Sequence, residues 1–302
     1  MDNDDQNKSD IVSPDGEVLS GDNGSLRAIE KKEEDEKYIP VIIKRTDEAV
    51  RHPYDTLKIA IKEGSAQYNR SSTSLFLSAV AAGLILGFAA MCVALVTQFD
   101  ITDHHFMVER LLIALVYPLG FIVCIMSGTQ LFTEQTATAV YPVLDKVIPF
   151  KKLVPLWCIV LCGNLFGTLI SSALIYLAEP VVLGGIGFEE IYKHLIEYNS
   201  SSIFISAILA GWLMAQGGWL ILATPPASSQ IICIYVVTFI IGLGGLHHSI
   251  AGSAEIFSGL MHSENPDFYN SMRFLIVSIM GNLFGGSCFV AILNYGHIKQ
   301  TQ

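Results

Sequence analysis

Apolar positions along this chain gather into six long blocks, near 74–98, 110–145, 153–178, 201–223, 231–262 and 271–295. A helix needs about 20 mainly apolar residues to cross the hydrocarbon of a bilayer, and each block supplies them. Blocks two and five depart from the simple pattern. They are too long for one crossing and turn polar at the centre, in "SGTQLFTEQTAT" (127–138) and "GLHHSIAGSAEI" (245–256). Backbone that leaves the helix at that depth must find partners in protein or in a water-lined cavity. The pattern therefore predicts an all-α polytopic membrane protein with six spans, of which the second and fifth are broken and face the bundle interior.

Charge sharpens the boundary between tail and bundle. Residues 1–72 hold 11 of the 18 Lys and Arg and 16 of the 28 Asp and Glu, leaving 7 and 12 for the other 230 positions. So few charges cannot solvate a soluble surface of that size. The net charge of −10 is divided about evenly between the two parts and gives no reason to expect a nucleic-acid partner. Residues 1–45 read as a disordered acidic tail, 46–72 as helix lying at the membrane face and interrupted near Pro53, and 73–298 as the six-span domain. No cleavable signal peptide is visible, because the first apolar run starts near Ser74. Lys58, Lys62, Arg70, Lys146, Lys151, Lys152 and Lys299 flank one side of the spans, Arg110, Lys193 and Arg273 the other. Basic residues mark the cytoplasmic side, so both termini are expected there, with the bilayer as the partner surface.

The blocks also repeat. "GNLFG" stands at 163–167 and again at 281–285, an offset of 118 that also matches Tyr117 with Tyr235 and Phe121 with Phe239. The same offset superposes the two polar interruptions. Because three spans separate the copies, the second enters the membrane from the opposite side. The expected architecture is a 3+3 inverted repeat with broken helices 2 and 5, like that of aquaporins.

Ionisable groups at mid-membrane cost about 2.5–3.5 kcal/mol each on insertion scales unless they face protein or water. His247, His248, Glu134 and Glu255 therefore mark a function. Each broken helix exposes N–H groups and about half a positive charge at its inner end, which favours an anion without a fixed cation. An imidazole beside that spot suits a small monovalent anion able to take up a proton. The carboxylates of Glu134 and Glu255 fall a few residues into the broken segments and, with His247, are candidates for capping the loops or for relaying protons; the His247 side chain is otherwise expected to point into the helix packing. The six cysteines lie in apolar runs and read as buried packing residues, with no metal site, disulfide or cofactor expected. His104 and His105 read as residues of the first outer loop. Phe188, Ile191, Tyr192, Leu195 and Ile196 recur at helical spacing and read as an interfacial helix without a function of its own.

In "GLHHSIAG", "GTQLFTEQT" and the doubled "GNLFG" the chain resembles the formate/nitrite transporter family over roughly 45–296, and "LFTE" with "GSAEI" resembles its YfdC-like branch. The resemblance implies a homopentamer in a bacterial inner membrane, each protomer with its own pore for formate, nitrite, hydrosulfide or a similar monoacid. It implies a channel or transporter, not an enzyme. It implies His248 as the central histidine, hydrogen-bonded to Thr133, with Leu131, Phe132 and Thr133 in the loop at the constriction and Ile241 and Phe239 at the apolar narrowing. The chain departs from the family pattern at His247, Gly252, Trp212 and Glu197. Two other readings stand beside this one. A neutral-solute channel of aquaporin type would want Asn-Pro-Ala at both breaks. A transporter of altered selectivity would use Glu134 and Glu255 to relay protons.

Overall fold

The computed structural model describes residues 11–12, 18–19, 50–99 and 106–300. Ile11–Val12 and Val18–Leu19 pair as two short antiparallel strands, β1 and β2, in a unit separate from the rest of the chain. Otherwise the expected disordered tail lies outside the described residues, as do His104 and His105.

Residues 50–302 form the second unit. It opens with α1 (Pro53–Asn69), where Pro53 takes the first helical turn and His52 accepts the Tyr54 N–H as its cap. Proline is preorganised for that position, so Pro53 starts this helix where the sequence pattern suggested an interruption. Leu57, Ala60 and Gly64 are buried. A Cβ on Gly64 would stand 2.9 Å from Pro142, so α1 is packed onto the bundle, not merely laid at its surface.

Six helical segments are long and apolar enough to cross a membrane: Ser72–Gln98, Met107–Met126, Phe150–Leu177, Ser200–Ala223, Ala227–Gly244 and Phe268–Lys299. The first lies within α2 (Ser72–Phe99). The second span is α3 (Phe106–Val116) followed by α4 (Pro118–Met126), then the break, then α5 (Phe132–Thr138) and α6 (Tyr141–Leu144). Next come α7 (Leu153–Leu177), α8 (Glu179–Val182), α9 (Gly185–Glu197) and α10 (Ser200–Ala223). The fifth span is α11 (Ala227–Gly244), a break, and α12 (Ser249–His262). The chain closes with α13 (Phe268–Gly286), a π-helical stretch Ser287–Ile292, and α14 (Leu293–Gln300).

Both halves use one packing device. "GNLFG" is a Gly-x-x-x-Gly word, which lets two helix backbones approach closely where lipid offers no hydrophobic drive. A Cβ on Gly163 would lie 2.6 Å from that of Ala79, and one on Gly281 2.5 Å from that of Ala207. First and third spans of each half are thus locked together in matching fashion.

The repeat slips by one residue at the breaks. Gly128 (φ 66) and Gly245 (φ 59) each take the left-handed conformation that turns the chain, and Leu131 and His248 are the extended N-caps that follow. Both pairs are 117 apart, one fewer than the two "GNLFG" words. The consequence is side-chain rotation. Successive helical residues point about 100° apart, so Phe121 corresponds to Thr238 and not to Phe239.

The cysteines differ from expectation. Among the six only Cys124 is buried, while Cys158 and Cys162 are exposed on α7. An apolar run in a membrane protein fills the lipid-facing side as readily as the interior, so hydropathy alone does not assign burial.

Candidate functional site: a cavity floored by two half-helices

The breaks are held by one residue type. Asn164 Oδ1 accepts the Phe132 N–H (2.8 Å), while its Nδ2 donates to Ala79 O (2.8 Å) and Gln130 O (2.9 Å). Asn282 does the same in the other half, accepting from Ser249 N (2.7 Å) and donating to Ala207 O (2.7 Å) and His247 O (3.0 Å). Each amide satisfies the first N–H of a half-helix and a carbonyl of the loop before it, groups that broken helices leave orphaned. The sequence carries the signal, an Asn repeated inside an otherwise apolar word, but the partners that make it a clamp lie far away along the chain.

His248 joins the halves. Its Nδ1 accepts the Ala251 N–H (3.1 Å), capping α12. That leaves the proton of the neutral ring on Nε2, which lies 2.9 Å from Thr133 Oγ1 of the other half and donates to it. The ring meets Phe121 edge-on at 5.1 Å and is 2% exposed. The expected His248–Thr133 pair is therefore present. The expected carboxylate caps are not. Glu134 and Glu255 accept no hydrogen bond from the half-helix N–H groups, because His248 and the two asparagines occupy that role, and Glu255 sits beyond the first turn of α12.

A cavity of about 270 Å³ opens above His248, and Glu255, Gly252, Ile241, Tyr117 and His247 contribute to its wall. Glu190, Ile191, His194 and Leu195 of α9 form another side, so the helix read as merely interfacial is a wall of this vestibule. At the other end a pocket of about 10 Å³, scarcely room for one water, is bordered by Glu134, Ile125, Ile234, Val237 and Thr238.

The remaining expected residues divide. Leu131 and Phe132 are buried in the core and stand on neither wall. Phe239 stacks on Tyr235 at 6.1 Å and borders neither cavity, while Thr238, one residue before it, borders the small pocket. His247 is on the cavity wall, not turned into helix packing. Its ring lies edge-on to Tyr198 and Phe274 (both 5.4 Å), and its Nδ1 is buried without a hydrogen-bond partner. Gly252 also lines the cavity, and a Cβ there would stand 2.9 Å from the Phe274 ring. Trp212 stacks on Phe289 on an exposed face, and Glu197 is bound to His194 (3.3 Å), so neither borders the cavity.

Six spans, two broken at matching points, and a cavity that ends on a histidine shared by both halves define a membrane channel or transporter for a small solute. The chain belongs to the formate/nitrite transporter family, whose model matches residues 54–296. Inner membrane protein YfdC of Escherichia coli (strain K12) is 32% identical over 246 residues, spanning 79% of this chain and 76% of that one. Formate channel FocA of Haemophilus influenzae is 21% identical, over 76% of this chain and 89% of its own. Two solved structures share the fold. An FNT family ion channel superposes with a TM-score of 0.73 at 17% identity, over 81% of this chain and 99% of its own. A pentameric formate channel with formate bound gives 0.66 at 23% identity, over 76% and 98%.

Proposed function

We propose that each protomer passes a small monovalent anion or its conjugate acid, of formate, nitrite or hydrosulfide type, past His248. The observation that carries this is a hydrogen bond between the two halves where both half-helices begin. His248 Nε2 donates to Thr133 Oγ1 at the floor of the cavity, with the N-terminal ends of α5 and α12 meeting there. Those ends favour negative charge, and a neutral imidazole can lend or take a proton as the anion passes. Membership of the family and the formate-bound channel of like fold support the solute class.

The surrounding assignments follow the same reading. The protein is a homopentamer in a bacterial inner membrane, as the pentameric neighbour and the inner membrane relative support. Both termini lie in the cytoplasm, which places the α9 cavity outward and the Glu134 pocket inward. Flux of formate and nitrite into proteoliposomes at two pH values is the test. His248→Phe should abolish or strongly alter the pH dependence while the oligomer stays intact. Wild-type protein that moves neither solute would refute the function. A variant with an unchanged profile would remove His248 from the pore.

A further inference from the structure

Each end of the pore carries a carboxyl group that the fold leaves without a hydrogen bond. Glu255 is 8% exposed and lines the large cavity on the α12 face that also carries His248 and Gly252. Seven residues of helix set it about 10 Å from His248 along the axis. Glu134 follows Thr133 directly and borders the small pocket. Neither accepts a hydrogen bond among the described residues; Glu134 is partly buried, and Glu255 is buried, where polar groups almost always have a partner. Glu255 is not alone in this, since the buried Nδ1 of His247 on the same wall also lacks one.

The other ionisable groups at each end are few. Glu255 shares its cavity with His247, His248 and Tyr117, and at the mouth with Glu190 and His194 of α9 and Glu109 and Arg110 of α3. Arg110 donates to Leu243 O. α2 and α13 bring Val93, Thr97 and Phe274 to that wall and nothing ionisable. Glu134 has no ionisable neighbour on its pocket wall, and the Cys124 thiol behind it is turned to Thr129 and Ala82 O.

We propose that Glu255 and Glu134 are proton-sharing stations, one at each end of the pore: Glu255 holds the monoacid together with a single proton in the large cavity, and Glu134 does so when its pocket, with room here for about one water, widens to admit the solute. This rests on the reading of the pore given above. Two carboxylate-like anions cannot lie side by side in an apolar wall with both charged. With one proton between them they form a short charge-assisted O–H···O⁻ bond. An arriving acid donates its proton to the glutamate carboxylate, or a protonated glutamate donates to an arriving anion. One O–H bond breaks as another forms, and the loaded station carries the same proton either way. Glu255 and Glu134 thus determine which species enters, and each answers to the pH on its own side.

The test uses oriented membrane vesicles bearing the full chain, with nitrite as solute and the pH of each face varied independently. Wild-type flux should change by about tenfold per pH unit where nitrite is mostly ionised. Glu255→Gln should lose the dependence on pH at the α9 face alone, and Glu134→Gln at the opposite face alone. Glu255→Asp and Glu134→Asp should restore each. Variants that keep the two-sided profile, or that both lose it at both faces, would overturn the stations while leaving the pore in place. If the Gln variants do not assemble, nitrate decides. It is close to nitrite in size but carries no proton onward, so wild-type flux of nitrate equal to that of nitrite would also overturn them. A wild-type protein that moves no nitrite refutes the proposed function instead.

Discussion

Replacing Asn282 should damage this protein more than any substitution of a pore-lining group. Asn282→Ala removes three hydrogen bonds at once. Ala207 lies within α10, so its carbonyl keeps a helical partner and costs little. Ser249 N and His247 O are different, because they belong to the break and stay buried. A buried group left without its partner costs about 1–3 kcal/mol, so the two together cost roughly 2–6 kcal/mol. For a bundle of this size that is a fall in melting temperature on the order of 10 °C.

The chemistry predicts an order among variants as well as a size. Asn282→Asp keeps the shape and the acceptor to Ser249 but turns the donor into a second oxygen facing Ala207 O and His247 O. It should therefore be worse than Asn282→Ala despite being nearly isosteric. Thermal unfolding in detergent, followed by loss of the intact oligomer, reads both. An Asp variant as stable as wild type, or an Ala variant within about 0.5 kcal/mol of it, the range of ordinary surface substitutions, would refute the clamp.

Thr133→Val deletes the acceptor for His248 Nε2 and should cost about 1 kcal/mol while shifting the pH dependence of flux. An unchanged pH profile would show that the bond is incidental. Gly252→Ala places a methyl 2.9 Å from the Phe274 ring, so it should narrow the vestibule, slow flux and cost about 1–3 kcal/mol of stability; full flux would mean that the cavity is not the route. Asp267 caps α13, and bonds from the backbone and side chain of Asn270 hold its carboxyl below the usual carboxylate range. Its stabilising effect is present above the unfolded-state value and lost as pH falls through the lowered one, so Asp267→Asn should remove that part of the acid sensitivity in an unfolding titration. Removing residues 1–45 should leave melting temperature and flux close to those of the full chain, since that composition offers no apolar periodicity to dock; a large loss of either would make the tail a working part.

What could be read from the sequence follows from what a bilayer enforces. Spans must be apolar along their whole length, so "FLSAVAAGLILGFAAMCVALV" announces a helix by itself. Polar residues in mid-membrane are costly, so the two breaks stand out for the same reason. What stayed hidden depends on rotation and on partners distant in sequence. Hydropathy does not distinguish a lipid-facing Cys158 from a buried Cys124, since both environments are apolar. The amphipathic face of α9 reads the same whether it lies on lipid or walls a vestibule. A periodicity of 118 taken from "GNLFG" is right for the third and sixth spans and wrong by one residue at the breaks. One residue of helix is about 100°, enough to put Thr238 on the small-pocket wall and to turn Phe239 towards Tyr235 instead. The same sensitivity governs the histidines. His248 faces both Thr133 and the cavity only because His247 O is held by Asn282 and Ser249 N by the same side chain. A pore of this kind is specified less by its wall than by the two amides that set its register.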